Sequence, residues 1–203
     1  MKTRLVVIPV WILVSLSLAA SAQENRSEIS LQGSGLFTSS TTGNGTAHSA
    51  TESGGVMGTY RYHLNHWISF EGAYGYNVNT QKYSLSSSAF RIQSGIQDFT
   101  GSLVVNLPSR HHSRMNPYVL VGGGALRFSP TGNQFNTLSN AQSQTRGAFV
   151  YGVGVNYGIY RGLSLRAEYR GLVYSSPDFG FGALATNSVT HAAVPSVGLS
   201  FRF

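Results

Sequence analysis

The stretch Gly147–Tyr174, GAFVYGVGVNYGIYRGLSLRAEYRGLVY, constrains the chain more than any other. Two runs whose side chains alternate in character flank the connection Gly-Ile-Tyr-Arg-Gly. In the second run Leu163, Leu165, Ala167, Tyr169, Gly171 and Val173 fall on one face, and Ser164, Arg166, Glu168 and Arg170 on the other. A period of two places successive side chains on opposite faces of a strand. In a water-soluble sheet the charged face meets solvent. In a barrel embedded in lipid the apolar face meets acyl chains and the charges are enclosed together.

The N-terminus bears on that choice. Lys2 and Arg4 precede an apolar run from Leu5 to Leu18, and Ala20-Ser21-Ala22 supplies the small residues of a cleavage site. This predicts a secretory signal peptide over residues 1–22 and a mature domain over 23–203. Losing Lys2 and Arg4 lowers the formal net charge from +7 to +5. The positive charge is spread along the chain, which argues against nucleic-acid binding. With no cysteine, disulfides and cysteine metal sites are excluded. No later apolar stretch approaches the roughly 20 residues of a membrane helix, whereas a tilted barrel strand needs only about 9–11.

Alternating segments recur along the chain. Residues 28–38 put Ile29, Leu31 and Phe37 outward against Glu28. Residues 54–62 put Val56, Tyr60 and Tyr62 outward against Arg61, and 67–76 put Ile68, Phe70, Tyr74 and Tyr76 outward against Glu71. Within 90–107, Phe99, Leu103, Val105 and Leu107 oppose Asp98. Upstream, Phe90, Ile92 and Ile96 take the other phase, so a bulge or a rise above the membrane is expected. Residues 118–128 are apolar on both faces at first; Tyr118, Leu120, Leu126 and Phe128 are assigned outward and Arg127 inward. Phe149–Tyr157 and Leu163–Val173 follow, and Val197, Leu199, Phe201 and Phe203 alternate with Arg202 at the end.

The reading is all-β: an eight-stranded antiparallel up-and-down transmembrane β-barrel behind a cleavable signal peptide. Long polar connections (39–53, 77–88, 129–145, 175–190) alternate with short ones, as expected of long outer loops and short periplasmic turns. Bacterial outer-membrane localisation follows, with outer-membrane lipid as the surroundings and a monomer as the expected state.

Three segments, PYVLVGGGALRF, GVGVNYGIYRGLSLRAEYR and VGLSFRF, carry a resemblance to the OmpA-like or opacity-type family of eight-stranded outer-membrane barrels, over essentially all of residues 23–203. In that family alternate apolar or aromatic residues before a terminal phenylalanine form the signal read by the barrel-assembly machinery. The resemblance therefore gives Leu199, Phe201 and Phe203 that role, and implies a barrel without the added peptidoglycan-binding domain of longer members.

The expected interior polar network is Glu28, Arg61, Glu71, Asp98, Arg127, Arg166, Glu168, Arg170 and Arg202. Buried charges must be paired or hydrated. This near-balanced set serves either as a structural core or as the lining of a small porin-like channel for ions or small solutes. His111 and Ser113 are similar to the His-x-Ser pair of outer-membrane lipid A deacylases, but they sit in a basic turn with Arg110, His112 and Arg114, and no carboxylate follows until Glu168. A lipid-modifying enzyme is therefore the disfavoured alternative. His63 and His66 are read as a solvated turn, not a metal pair. Tyr60, Tyr62, Trp67, Tyr118, Tyr157, Tyr160 and Phe203 are expected in the periplasmic aromatic girdle, and Tyr74, Tyr76, Phe128, Phe149 and Tyr174 in the outer one. The function expected is non-catalytic, without cofactor or metal: a structural or surface-interaction role through four extracellular loops. The ligand is not named by their composition.

Overall fold

The computed structural model describes residues 26–43, 46–50, 52–85, 88–108, 114–130, 143–177 and 188–203. The expected signal peptide, and the His111–Ser113 pair, lie outside the described residues. In chain order the strands are β1 (Ser27–Thr38), β2 (Thr41–Gly43), β3 (Thr46–Ala50), β4 (Ser53–His63), β5 (Ile68–Leu85), β6 (Ser88–Asn106), β7 (Met115–Pro130), β8 (Gln144–Tyr160), β9 (Leu163–Ser175) and β10 (Val189–Arg202). The eight long strands form a closed antiparallel meander in which β10 returns to pair with β1.

The register fixes the shape. Starting at Glu28 and stepping to the opposed residue on each neighbour passes Arg61, Glu71, Ser102, Gly122, Val150, Leu172 and Ala192. It returns to β1 at Thr38, ten residues beyond Glu28. A stagger of this kind is possible only if the strands tilt, and with eight of them the interior is wide enough for side chains alone. The short connections between β4 and β5, β6 and β7, and β8 and β9 share one end. In bacterial barrels that end faces the periplasm. At the β8–β9 turn Gly162 has φ 74°, and a Cβ there would stand 2.6 Å from the Arg202 carbonyl oxygen, so the left-handed turn is reserved for glycine.

Sidedness on β9 is as the alternation requires. Leu165 and Tyr169 are exposed on the outer wall while Arg166, Glu168 and Arg170 are buried. The outer wall is completed by Ile29, Leu31, Val56, Phe70, Phe99, Val153, Val197 and Leu199. A continuous apolar surface of this extent on a folded chain marks contact with lipid.

Two expectations need correction, and one open choice is decided. The face assignment of 118–128 is inverted: Tyr118, Leu120, Leu126 and Phe128 are buried inside, while Val119, Val121 and Arg127 face out. Both faces of β7 are apolar, so alternation there cannot identify the inner one. Backbone contact settles it, because a Cβ at inward Gly122 or Gly124 would lie 2.1 Å from a carbonyl oxygen of β6. Of the two readings of β6, a bulge or a rise above the membrane, the second holds: no bulge interrupts β6. Its pairing with β5 and β7 runs unshifted, and Ile96 points inward opposite Phe128. Lastly, residues 77–85 are not loop but the upper part of β5. It is 18 residues long and pairs with the 19 residues of β6 up to Leu85 opposite Ser88. That is well beyond the roughly 9–11 residues that span lipid, so this hairpin stands clear of the membrane. β2 and β3 form a smaller hairpin beside it, joined through Ala47–Ala50 to Gln81–Ser84.

Val153→Arg, on the wall near the middle of β8, puts a charge on the lipid face, at a cost of about 2–4 kcal/mol near the midplane. The expected outcome is a lower folded fraction on heat-modifiable gel mobility, whereas Val189→Arg, exposed near the outer end of β10, assembles normally.

Candidate functional site

The lumen holds the concentrated chemistry of this chain, in two storeys. Toward the periplasmic end the inward parity of β1, β4, β5 and β9 brings together Glu28, Arg61, Glu71, Arg166, Glu168 and Arg170. Glu71 is the hub. Its Oε2 accepts from Arg61 Nε at 2.8 Å and from Arg166 Nη1 at 3.1 Å, and its Oε1 accepts from Arg170 Nη2 at 2.5 Å. Arg166 also pairs with Glu28, and Arg170 with Glu168. Three carboxylates face three guanidiniums, so the cluster is neutral as it stands.

Neutral groups complete it. Arg166 donates to Asn156 Oδ1 at 3.0 Å and to Thr59 Oγ1 at 3.0 Å. Tyr118 donates its hydroxyl to Glu168 Oε2 at 2.5 Å, and the Arg61 guanidinium lies 4.1 Å from its ring centroid. A desolvated cation over an aromatic face is stabilised by about 2 kcal/mol. Gly154 makes the ring's place possible, since a Cβ there would come within 2.4 Å of Tyr118. Tyr118 is therefore not a girdle residue but part of the polar core.

His63 also departs from expectation: it is buried, not solvated. Its Nε2 lies 3.0 Å from Glu28 Oε2 and its Nδ1 2.8 Å from Ser69 Oγ. With a carboxylate on Nε2, that nitrogen carries the proton and Nδ1 accepts the serine hydroxyl. The order Ser-His-Glu resembles a nucleophilic relay, but Ser69 is 0% exposed and Glu28 shares its other oxygen with Arg166 and Asn156. No acyl group reaches such a hydroxyl. The relay anchors the lower edge of the ionic cluster. His66 stays exposed, its ring 5.0 Å from that of Trp67.

Above the charges the inner face changes character. Leu36, Ile96, Leu126, Phe128, Val150, Leu172, Tyr174, Ala192 and Val194 form one buried cluster, with Phe128 and Tyr174 rings 5.8 Å apart. Phe128 and Tyr174 are thus fillers of the lumen and not outer-girdle anchors; Tyr74, Tyr76 and Phe149 are exposed on the wall. Apolar side chains opposite glycines give no alternation signal of their own, so this storey is not legible in the sequence.

Of the residues assigned to the interior, the structure buries Glu28, Arg61, Glu71, Asp98, Arg166, Glu168 and Arg170. Asp98 stands over Gly75, where a Cβ would meet its carboxylate at 2.0 Å. Arg127 is a correction: it follows the inverted face of β7 to the outside. Arg202 keeps inward parity, opposite Glu28, but is exposed at the open end. Leu199 and Phe201 face the wall, and the Phe203 and Ser27 backbones exchange hydrogen bonds of 2.8 and 3.0 Å, sewing β10 to β1. Among the described residues no group of three or more His, Cys, Asp or Glu is placed to hold a metal ion.

A closed eight-stranded barrel with an apolar wall and an enclosed ionic core defines an outer-membrane barrel. Residues 10–203 match the family described as outer membrane protein beta-barrel domain, and the chain belongs to it. The fold is similar to that of the outer membrane protein OprG from Pseudomonas aeruginosa (14% identity, TM-score 0.62, covering 87% of this chain and 95% of that one). It is also similar to Neisserial surface protein A, NspA (17%, 0.60, 87% and 97%), and to Ail, the attachment invasion locus protein of Yersinia pestis (16%, 0.51, 89% and 100%). No curated protein matches the chain. The protein is an outer-membrane β-barrel of the small, eight-stranded kind.

Arg166→Met removes one cation from between Glu28 and Glu71 and is expected to destabilise the barrel by about 3–5 kcal/mol, the cost of an unpaired buried charge. Urea midpoints in lipid vesicles measure it. Arg127→Gln, at an exposed position, is expected to stay within about 0.5 kcal/mol of the parent.

Proposed function

We propose that this protein is a non-catalytic barrel of the OmpA-like or opacity type, which anchors surface segments in the outer membrane for a structural or surface-interaction role. The observation that carries this reading is the filled lumen, with a neutral ionic storey below and a packed apolar storey above it. A conducting path needs either a hydrated bore or charges free to exchange partners with an ion. Here Glu71 alone is engaged by Arg61, Arg166 and Arg170. The inaccessible Ser69 hydroxyl argues against acyl chemistry at the Ser69–His63–Glu28 relay. Specificity then belongs to the outer rim, where β2–β3 and the tops of β5 and β6 extend the wall. The names of NspA, a surface protein, and Ail, an attachment protein, fit a surface role. Barrel-assembly machinery is the proposed partner in biogenesis, through Leu199, Phe201 and Phe203.

Planar-bilayer recording tests the reading against the porin-like one. The purified barrel is expected to give no unitary steps above the lipid background. Reproducible steps whose size changes in Arg166→Met would replace it with a small gated pore.

A further inference from the structure

The periplasmic rim carries charge that the lumen does not use. Arg26, Arg114 and Arg161 are exposed there. They follow the ring in order: Arg114 before β7, Arg161 in the β8–β9 turn, and Arg26 before β1. Backbone bonds tie their neighbours together. The Arg114 carbonyl accepts from Gly158 N at 2.8 Å, the Gly162 carbonyl from Arg202 N at 2.8 Å, and the Arg26 carbonyl from His63 N at 2.8 Å. The result is one basic arc. Among the described residues Glu28 is buried beneath the rim, opposite Arg202, Glu71, Asp98 and Glu168 are buried in the lumen, and Glu52 stands at the opposite end, just before β4.

The depth of the arc comes from a second feature. Trp67, Tyr157 and Tyr160 are exposed on the wall at this same end, and amphipathic rings of this kind settle at the headgroup level. The guanidiniums therefore lie where phospholipid phosphates lie. A planar guanidinium fork matches two phosphate oxygens at once, and basic residues close to an anionic leaflet each strengthen association about fivefold.

We propose that this arc is a docking surface for anionic phospholipid in the periplasmic leaflet, with Arg114 and Arg161 gripping the phosphodiester beside the Tyr160 ring. The proposal rests on the membrane-spanning reading but not on whether the lumen conducts.

Native mass spectrometry of the full barrel in detergent tests it, with dioleoyl phosphatidylglycerol and dioleoyl phosphatidylcholine as probes. The expected result is retention of phosphatidylglycerol at a concentration at least tenfold lower. That preference should disappear in Arg114→Gln/Arg161→Gln and persist in Arg127→Gln, which removes an exposed cation near the other end of the barrel. Arg161→Gln alone serves if the double variant loses its heat-modifiable mobility, and should lower the preference about fivefold. Equal retention of the two lipids, or a preference untouched by the rim substitutions, overturns the proposal. So does binding of soluble polyglutamate without any lipid preference, which would assign the arc to an acidic polymer.

Discussion

Backbone closure is the constraint on which everything else depends. Acyl chains satisfy neither N–H nor C=O, so a sheet in lipid is viable only when its last strand finds its first. Here β10 meets β1 from Glu28 opposite Arg202 up to Thr38 opposite Ala192, and the ring closes with a stagger of ten residues along β1. That stagger sets the tilt, and with eight strands it leaves a lumen no wider than its own side chains. Each inward residue is then enclosed, and must be complementary to the residues opposite.

The ionic storey meets this condition by joining strands that are distant in sequence. Arg166 on β9 reaches Glu28 on β1 and Glu71 on β5, while Arg170 on the same strand reaches Glu71 as well. Replacing such a cluster by apolar side chains is often neutral or even stabilising, so net stability is a poor account of its presence. Register is a better one. A slip of one residue on β9 would turn Arg166, Glu168 and Arg170 toward lipid, taking Arg166 from Glu28 and leaving Glu71 with Arg61 alone. The charges come into neutral balance at one stagger, the stagger at which the backbone closes.

What could be read in the sequence follows from where alternation had contrast. β9 sets Arg166, Glu168 and Arg170 against Leu165 and Tyr169, so both its conformation and its sidedness are legible. β7 sets Tyr118 and Leu120 against Val119 and Val121; its strand is legible but its inner face is not, so the sides of Tyr118, Phe128 and Arg127 carry no local signal. Burial of His63 depended on Glu28 and Ser69, 35 and 6 residues away along the chain. No local pattern encodes that meeting. The polar run through Asn77 and Asn79 resembled loop because its pairing partner, the upper part of β6, is what makes it strand.

The change from ionic to apolar filling along the barrel axis has a consequence for where this protein can vary. Exchanging a lumen residue disturbs either a neutral charge set or a close-packed cluster, and exchanging a wall residue meets lipid. Only the rims are free of both conditions. At the outer rim the wall continues as paired backbone, β3 against β5 and β5 against β6, so surface segments start from a stiff sheet. Its edge at β2 is three residues long. A strand that short offers little template for pairing with another chain.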